Sequence, residues 1–285
     1  MKKRLIAGLL AGAMAVSLSG CGASKTAEAP AAGDSAAEET AEAEPVTLNV
    51  FAAASMTETL TEIQEMYKDV APNVTLVFNF DSSGTLKTQI QEGADCDLFI
   101  SAAQKQMNQL DKDADPEVNT EGLDYILEGT RVNLLENKVV LAVPDGNPKN
   151  IESFEDLGTD RLSLLALGNE DVPVGQYSTE ILTNLGILDS LEAEGKITYG
   201  SNVKEVTTQV SEAAVDAGII YATDAFSAGL TVVDQAEGDL CKQVIYPAAV
   251  LNISRNPEAA KEFLAYLQTD TCMQVFEAVG FTAAE

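Results

Sequence analysis

The 285-residue chain contains no histidine and no tryptophan. Without histidine, no Ser-His-Asp triad, His-based zinc site or His general base can be assembled. The chain also lacks a Gly-rich P-loop with its Lys, and a dinucleotide-type Gly pattern leading into a helix. Cations are scarce: 17 Lys and Arg stand against 45 Asp and Glu, a formal net charge of −28. Residues 1–20 hold three cations and no acid, so their loss would take −28 to −31. Such a chain is a poor partner for nucleic acid or an anionic membrane surface. It also cannot draw in an anion over a distance, so an anion site here must work through local dipoles. Cysteine is sparse. Beyond Cys21 there are Cys96, Cys241 and Cys272, an odd number that allows at most one bridge within the chain. A Cys241–Cys272 disulfide and three free, buried thiols both remain open.

What is present begins with Lys2-Lys3-Arg4, an apolar run from Leu5 to Val16, and Leu18-Ser19-Gly20-Cys21. The run is too short to span a bilayer and has signal-peptide form. Its ending resembles a bacterial lipoprotein signal, which makes residues 1–20 the signal and Cys21 the lipid anchor. An ordinary secretory signal, with Cys21 incidental, is the alternative. Two or more acyl chains would hold the protein on the outer face of a membrane. From 22 to 44 the chain is small and acidic with no large apolar residue, so 21–45 is predicted to be a disordered, lipid-anchored tether. The remainder, in a chain that is 46% hydrophobic, is long enough for one or two domains with a proper core.

The stretch Pro45–Leu60, PVTLNVFAAASMTETL, organises the rest. Val46, Leu48 and Val50 alternate with Thr47 and Asn49, which is strand periodicity, and Met56, Leu60, Ile63 and Tyr67 recur at helical spacing. Between them lie three alanines, then Ser55 and Thr57, both good helix-capping types. A strand that ends in tiny residues and enters a helix exposes several unpaired backbone N–H groups, a setting that attracts anions without Lys or Arg. Equally, Ser55 or Thr57 would serve as a plain cap. The arrangement recurs at Val74–Phe80, where a strand runs into Asp81-Ser82-Ser83-Gly84 and then a helix.

A third strand, Asp97–Ala102, precedes a helix carrying Met107 and Leu110. Residues 111–135 carry no clear pattern. Lys138–Val143 is a strand closed by the turn Pro144-Asp145-Gly146-Asn147-Pro148. A second series follows: a strand at 162–167 leading through Val172-Pro173-Val174-Gly175 to a helix, Ile197–Tyr199 leading through Gly200-Ser201-Asn202-Val203 to another, and Gly218–Ala222 leading to Thr223-Asp224-Ala225. Thr231–Val233 and Val244–Leu251 add strands. Pro247 marks an edge, a bend or a crossing, and two helices end the chain. Strands alternating with helices argue for parallel α/β sheets, with ligands at the carboxyl ends of the strands.

In this order the pieces VFAAASMTETL, FDSSGTLKTQI, DLFISAAQKQM, NKVVLAVP, LALGNEDVPVGQY, AGIIYATDA, VIYPAAVL and FEAVGF resemble the molybdate-binding proteins of bacterial ABC importers, over residues 46–281. The resemblance implies an α/β, two-lobed periplasmic-binding-protein fold of type II, each lobe a mostly parallel sheet flanked by helices. Lobe 1 would comprise 46–136 plus 247–285 and lobe 2 would comprise 137–246, with the ligand cleft between them. It implies a binding protein rather than an enzyme, with no resident cofactor and no directly bound metal. The ligand would be molybdate or tungstate, the partner a membrane permease, and the protein a monomer at the extracytoplasmic face. Carried over residue by residue, Ser55 and Ser83 would bind by hydroxyl and backbone N–H, Val174 and Val203 by backbone N–H, and Tyr221 by its hydroxyl. On the residues alone Tyr221 reads as an ordinary strand aromatic. Two departures stand out. Asp81 should turn away from a dianion or toward solvent, and Cys96 should be a packing residue.

A fully ionised dianion needs donors only, and each charge-assisted hydrogen bond contributes roughly 1.5–3 kcal/mol. A site without acceptors rejects hydrogen phosphate, whose O–H finds no partner. Asp81 or Asp224, if either faced the ligand, would reverse that argument. The alternative is the same class of binder for another tetrahedral oxyanion, such as sulfate or phosphate. A hydrolase is disfavoured because no base stands near Ser55 or Ser83.

Overall fold

The computed structural model describes residues 44–284. The signal-peptide, Cys21 and most of the tether expectations lie outside the described residues. The chain opens with β1 (Val46–Ala53), a 3-10 turn over Ala54–Met56 and α1 (Thr57–Val70), then β2 (Val74–Asp81), α2 (Ser83–Gln91), β3 (Leu98–Ile100) and α3 (Gln104–Asn108). Next come β4 (Val132–Asn137), β5 (Val139–Val143), β6 (Leu165–Gly168), α4 (Pro173–Asn184), α5 (Leu188–Ala193), β7 (Ile197–Gly200), α6 (Val203–Ser211) and β8 (Ala217–Tyr221). The chain closes with α7 (Ala222–Ser227), β9 (Thr231–Gln235), β10 (Val244–Val250), α8 (Pro257–Leu267), α9 (Asp270–Ala278) and β11 (Thr282–Ala283).

The strands form two sheets, each the core of one lobe. The first has the order β11-β4-β10-β3-β1-β2 and the second β7-β6-β8-β5-β9. Both are mixed. β1 runs parallel to β2 and β3, while β10 is antiparallel to β3 and β4. β6 runs parallel to β7 and β8, and β5 is antiparallel to β8 and β9. The chain changes sheet at strands with antiparallel neighbours: β4 passes directly to β5 at Asn137–Val139, and the return leads from β9 into β10. Pro247 occupies an interior strand but sits at a register shift between Tyr246 and Pro247, where a missing N–H does least harm.

The periodicity is repaid by burial. Leu48 and Val50 of β1 and Met56, Leu60 and Ile63 of the following turn and helix are fully buried, each stabilising by roughly 1.5–3 kcal/mol. All three described cysteines are free, so the Cys241–Cys272 bridge does not form. Cys272 is buried in α9, and Cys241 lies in the return segment near Glu180 of α4. Cys96 is buried and packs with Phe51, Leu86 and Phe99.

Register fixes where the site must lie. Ala53 pairs with Asp81 and Ala52 with Ile100, so three parallel strands end side by side. In the second sheet Gly168 pairs with Gly200, and β8 runs parallel beside β6. The turns after these ends carry Ser55, Ser83 and Ala102 from one lobe and Val172–Val174, Val203 and the end of β8 at Tyr221 from the other.

Candidate functional site in the cleft

Those turns meet across the cleft around one small cavity of about 10 Å³, room for a single water molecule. Ser55, Ser83, Val203 and Tyr221 all line it, together with Ala53, Ala54, Ala102 and Pro173. Val174 is not in the lining. It is fully buried one position further into α4, and its neighbours Val172 and Pro173 take the wall. Pro173 has no N–H, and the Gln176 N–H closes on the Val172 carbonyl, so Val174 and Gly175 carry the unpaired N–H groups of that first turn. No Lys or Arg lines the cavity.

The two serines differ from plain caps. Neither the 3-10 turn nor α1 has a side-chain cap. Ser55 Oγ instead lies 2.8 Å from the hydroxyl of Tyr246, 191 residues away. At α2 the cap is Ser82, whose Oγ accepts from the Thr85 N–H at 3.1 Å. Ser83 is thereby released from capping, and its Oγ accepts the Ala102 N–H at 2.9 Å. Tyr221 donates to the Ala102 carbonyl across the cleft at 3.4 Å. Burial pushes the Tyr221 hydroxyl well above the usual phenol range, so it stays a donor.

A model of the bacterial extracellular solute-binding protein family matches residues 48–282. The chain belongs to that family. It is 38% identical over 240 residues to a putative ABC transporter substrate-binding lipoprotein, YvgL, of Bacillus subtilis, spanning 84% of this chain and 87% of the relative. It is 33% identical over 241 residues to the molybdate-binding protein ModA of Haemophilus influenzae, spanning 83% and 90%. Among solved structures it resembles the substrate-binding domain of a putative molybdenum ABC transporter from Clostridium difficile, with a TM-score of 0.63, 36% identity, and coverage of 84% of this chain and all of that one. Membership makes this a solute-binding protein and not an enzyme.

The solute-binding protein holds its lobes together by contacts that sequence reasoning missed. The Gly84 N–H donates to the Asp171 carbonyl across the cleft at 3.1 Å. Lys204 of α6 reaches both carboxylate oxygens of Glu58 on α1, at 2.9 and 2.7 Å, and comes within 3.0 Å of Asp224 in its own lobe. Burial drives the Asp224 pKa up, to about 6, and the Lys204 charge only partly opposes this. Asp224 Oδ2 is buried without any partner and Oδ1 has only the Lys204 ammonium beside it, so burial dominates. Burial acts to lower the Lys204 pKa, but Asp224 and Glu58 outweigh it and raise the pKa. One signal was available: Lys204 sits in the first turn of a helix, where the macrodipole disfavours a cation.

Two acids bear on the sign of the site. Asp224 does not line the cavity, whereas Asp81 does. The expectation for Asp81 is that its carboxylate turns away or to solvent, and that carboxylate is engaged with its own helix start. The residue is half-buried in the cavity wall because its Oδ1 accepts the Ser82 N–H at 2.7 Å, tying the side chain to the helix start.

Proposed function

We propose that this solute-binding protein captures molybdate, with tungstate as a close co-ligand, and delivers it to an ABC importer in the membrane. The observation that carries the reading is the convergence of Ser55, Ser83, Val203 and Tyr221, donors from both lobes, on one cavity without a cation. Ser55, Ser83 and Tyr221 would donate through hydroxyls, and the free N–H groups at the starts of α4 and α6 would serve at Val174 and Val203. In this reading lobe 1 is 46–136 plus 247–285 and lobe 2 is 137–246. The protein acts as a monomer, held at the extracytoplasmic face by a lipidated Cys21 after removal of residues 1–20. An oxyanion needs more room than about 10 Å³, so the lobes must part to admit it, and the Tyr221 hydrogen must leave the Ala102 carbonyl for the ligand. The kinship to a molybdate-binding protein supports the choice of ion.

The test is elemental analysis of purified protein for co-isolated molybdenum or tungsten, followed by thermal shift with molybdate, tungstate, sulfate and phosphate. Molybdate and tungstate are expected to raise the melting temperature at micromolar levels. Ser55→Ala should weaken molybdate by roughly ten- to a hundredfold. A shift produced by sulfate or phosphate alone would replace molybdate with that ion. No shift with any of the four would refute the reading.

A further inference from the structure

Ser55 has a hydroxyl that could either give or take a hydrogen bond, and the buried network behind it decides which. The Lys138 N–H donates to Asn137 Oδ1 at 2.8 Å, which fixes the amide's orientation. Asn137 Nδ2 therefore faces the other way, and its two hydrogens go to Thr223 Oγ1 at 2.9 Å and to the Tyr246 hydroxyl at 3.2 Å. The Tyr246 oxygen is thus an acceptor, and its own hydrogen must find a separate partner. Tyr246 is fully buried, and Ser55 Oγ lies 2.8 Å away. If Ser55 donated instead, Tyr246 would receive two hydrogens and bury its own without an acceptor, which folded proteins avoid. So Tyr246 donates, Ser55 Oγ accepts, and the Ser55 hydrogen is left to point elsewhere. Ser55 lines the cavity. Burial also lifts the Tyr246 hydroxyl well above the ordinary phenol range, which keeps it protonated.

We propose that Tyr246 and Asn137 are positioning residues that commit Ser55 to donating into the cavity, and so set the protein's preference for oxyanions that carry no proton. The inference rests on the oxyanion reading above and deepens it. Ser83 obeys the same logic by a shorter route, because the Ala102 N–H occupies its oxygen. With one lone pair of each serine oxygen already occupied and each hydroxyl hydrogen left free, the two hydroxyls are better placed to give to a ligand oxygen than to take from a ligand O–H. The network also lies where the lobes join. Asn137 ends β4, pairs with Val244 at the return crossing, and bonds Thr223 of the second lobe.

The experiment uses the folded protein and four forms: wild type, Ser55→Ala, Tyr246→Phe and the double variant. Each is titrated calorimetrically with sodium molybdate and sodium sulfate, and with sodium phosphate at pH 8 in competition with molybdate. Tyr246→Phe should weaken molybdate and sulfate about tenfold while leaving hydrogen phosphate unchanged or tighter, so that discrimination falls about tenfold. On the Ser55→Ala background the same change should cost less than about twofold, because the two residues act as one unit. A merely structural tyrosine would weaken all three anions alike, and independently of Ser55. Either result, or wild-type behaviour of Tyr246→Phe, overturns the proposal while leaving the oxyanion reading intact. A wild type that binds none of the three removes both. If Tyr246→Phe does not fold, Asn137→Ser carries the test, since it frees the Tyr246 oxygen to accept from Ser55 and should lower discrimination in the same direction.

Discussion

Gly84 offers a substitution whose effect is confined to the meeting of the lobes. It is the second residue of α2, and its N–H donates to the Asp171 carbonyl in the other lobe. A Cβ placed there would lie 2.3 Å from the Asp171 oxygen and 2.9 Å from its carbonyl carbon. Ordinary contact would require the opposing backbone to retreat by about 1 Å. Inside the helix the same change is favourable, because alanine is preferred to glycine by up to about 1 kcal/mol. Gly84→Ala should therefore leave lobe 1 as stable as before, or more so, while disfavouring the closed meeting of the lobes. The lost hydrogen bond is worth about 1 kcal/mol. Displacing the Val172–Val174 turn from the other donors should raise the total to roughly 1.5–3 kcal/mol, or ten- to a hundredfold in affinity. Calorimetry with molybdate measures the affinity, a thermal melt without ligand measures the stability, and X-ray scattering with saturating molybdate measures how compact the complex is. The expected outcome is weakened binding, an unchanged or raised melting temperature and a less compact complex. Unchanged affinity would refute the reasoning, and so would a melting temperature lowered in step with affinity.

Two carboxylates supply the remaining predictions. The Asp224 pKa is raised in the fold from the ordinary 3.8 to about 6, so this group favours folding below the lower value and loses that contribution as pH rises through the higher one. Relative to wild type, Asp224→Asn should gain about 2.4 kcal/mol in unfolding free energy between pH 4 and pH 7, measured by urea titration at each pH, and parallel stability curves would refute this. Asp81 lines the cavity with a charge of the ligand's own sign, so Asp81→Asn should tighten molybdate by about five- to tenfold at low ionic strength, and less in high salt. Equal affinities of wild type and variant at both ionic strengths would mean that the carboxylate does not face the ion.

Much of the architecture was legible because its signals are local. Leu48 and Val50 alternating with Thr47 and Asn49, and Leu60, Ile63 and Tyr67 at helical spacing, state strand and helix without reference to the rest of the chain. Residues 111–135 gave nothing, for a physical reason: much of that stretch is held by polar contacts rather than a periodic apolar face. Asn119 donates to the carbonyls of Asp111 and Leu123, and Arg131 pairs with Asp111 at 2.6 Å while also reaching Gln104 and Asn108. Such staples need the loop already folded before they can be seen. The serines show the same limit. Ser82 and Ser83 are adjacent and chemically alike, and only their tertiary partners decide that the first caps a helix while the second turns to Ala102. Ser55 was ambiguous between a cap and a ligand donor because the residue that resolves it, Tyr246, lies 191 positions away.

The scarcity of cations then takes on a physical meaning. Among the described residues the one cation paired across the cleft, Lys204, is bound to Glu58 and faces Asp224, so it presents no free charge to a ligand. On the oxyanion reading proposed above, the attraction has to come from amide and hydroxyl hydrogens. α2, α4 and α6 begin at or beside the cavity, and each helix start carries about half a positive charge. Three of them offset most of a dianion's charge without any group that could titrate or exchange with solvent salt. A lysine in the same place would also attract a monoanion, and its flexible stem would fit many sizes. Donors mounted on helix starts and on the buried Tyr246–Ser55 pair are fixed in both distance and direction, so an overall acidic protein can recognise one class of anion by the directions in which its hydrogens point.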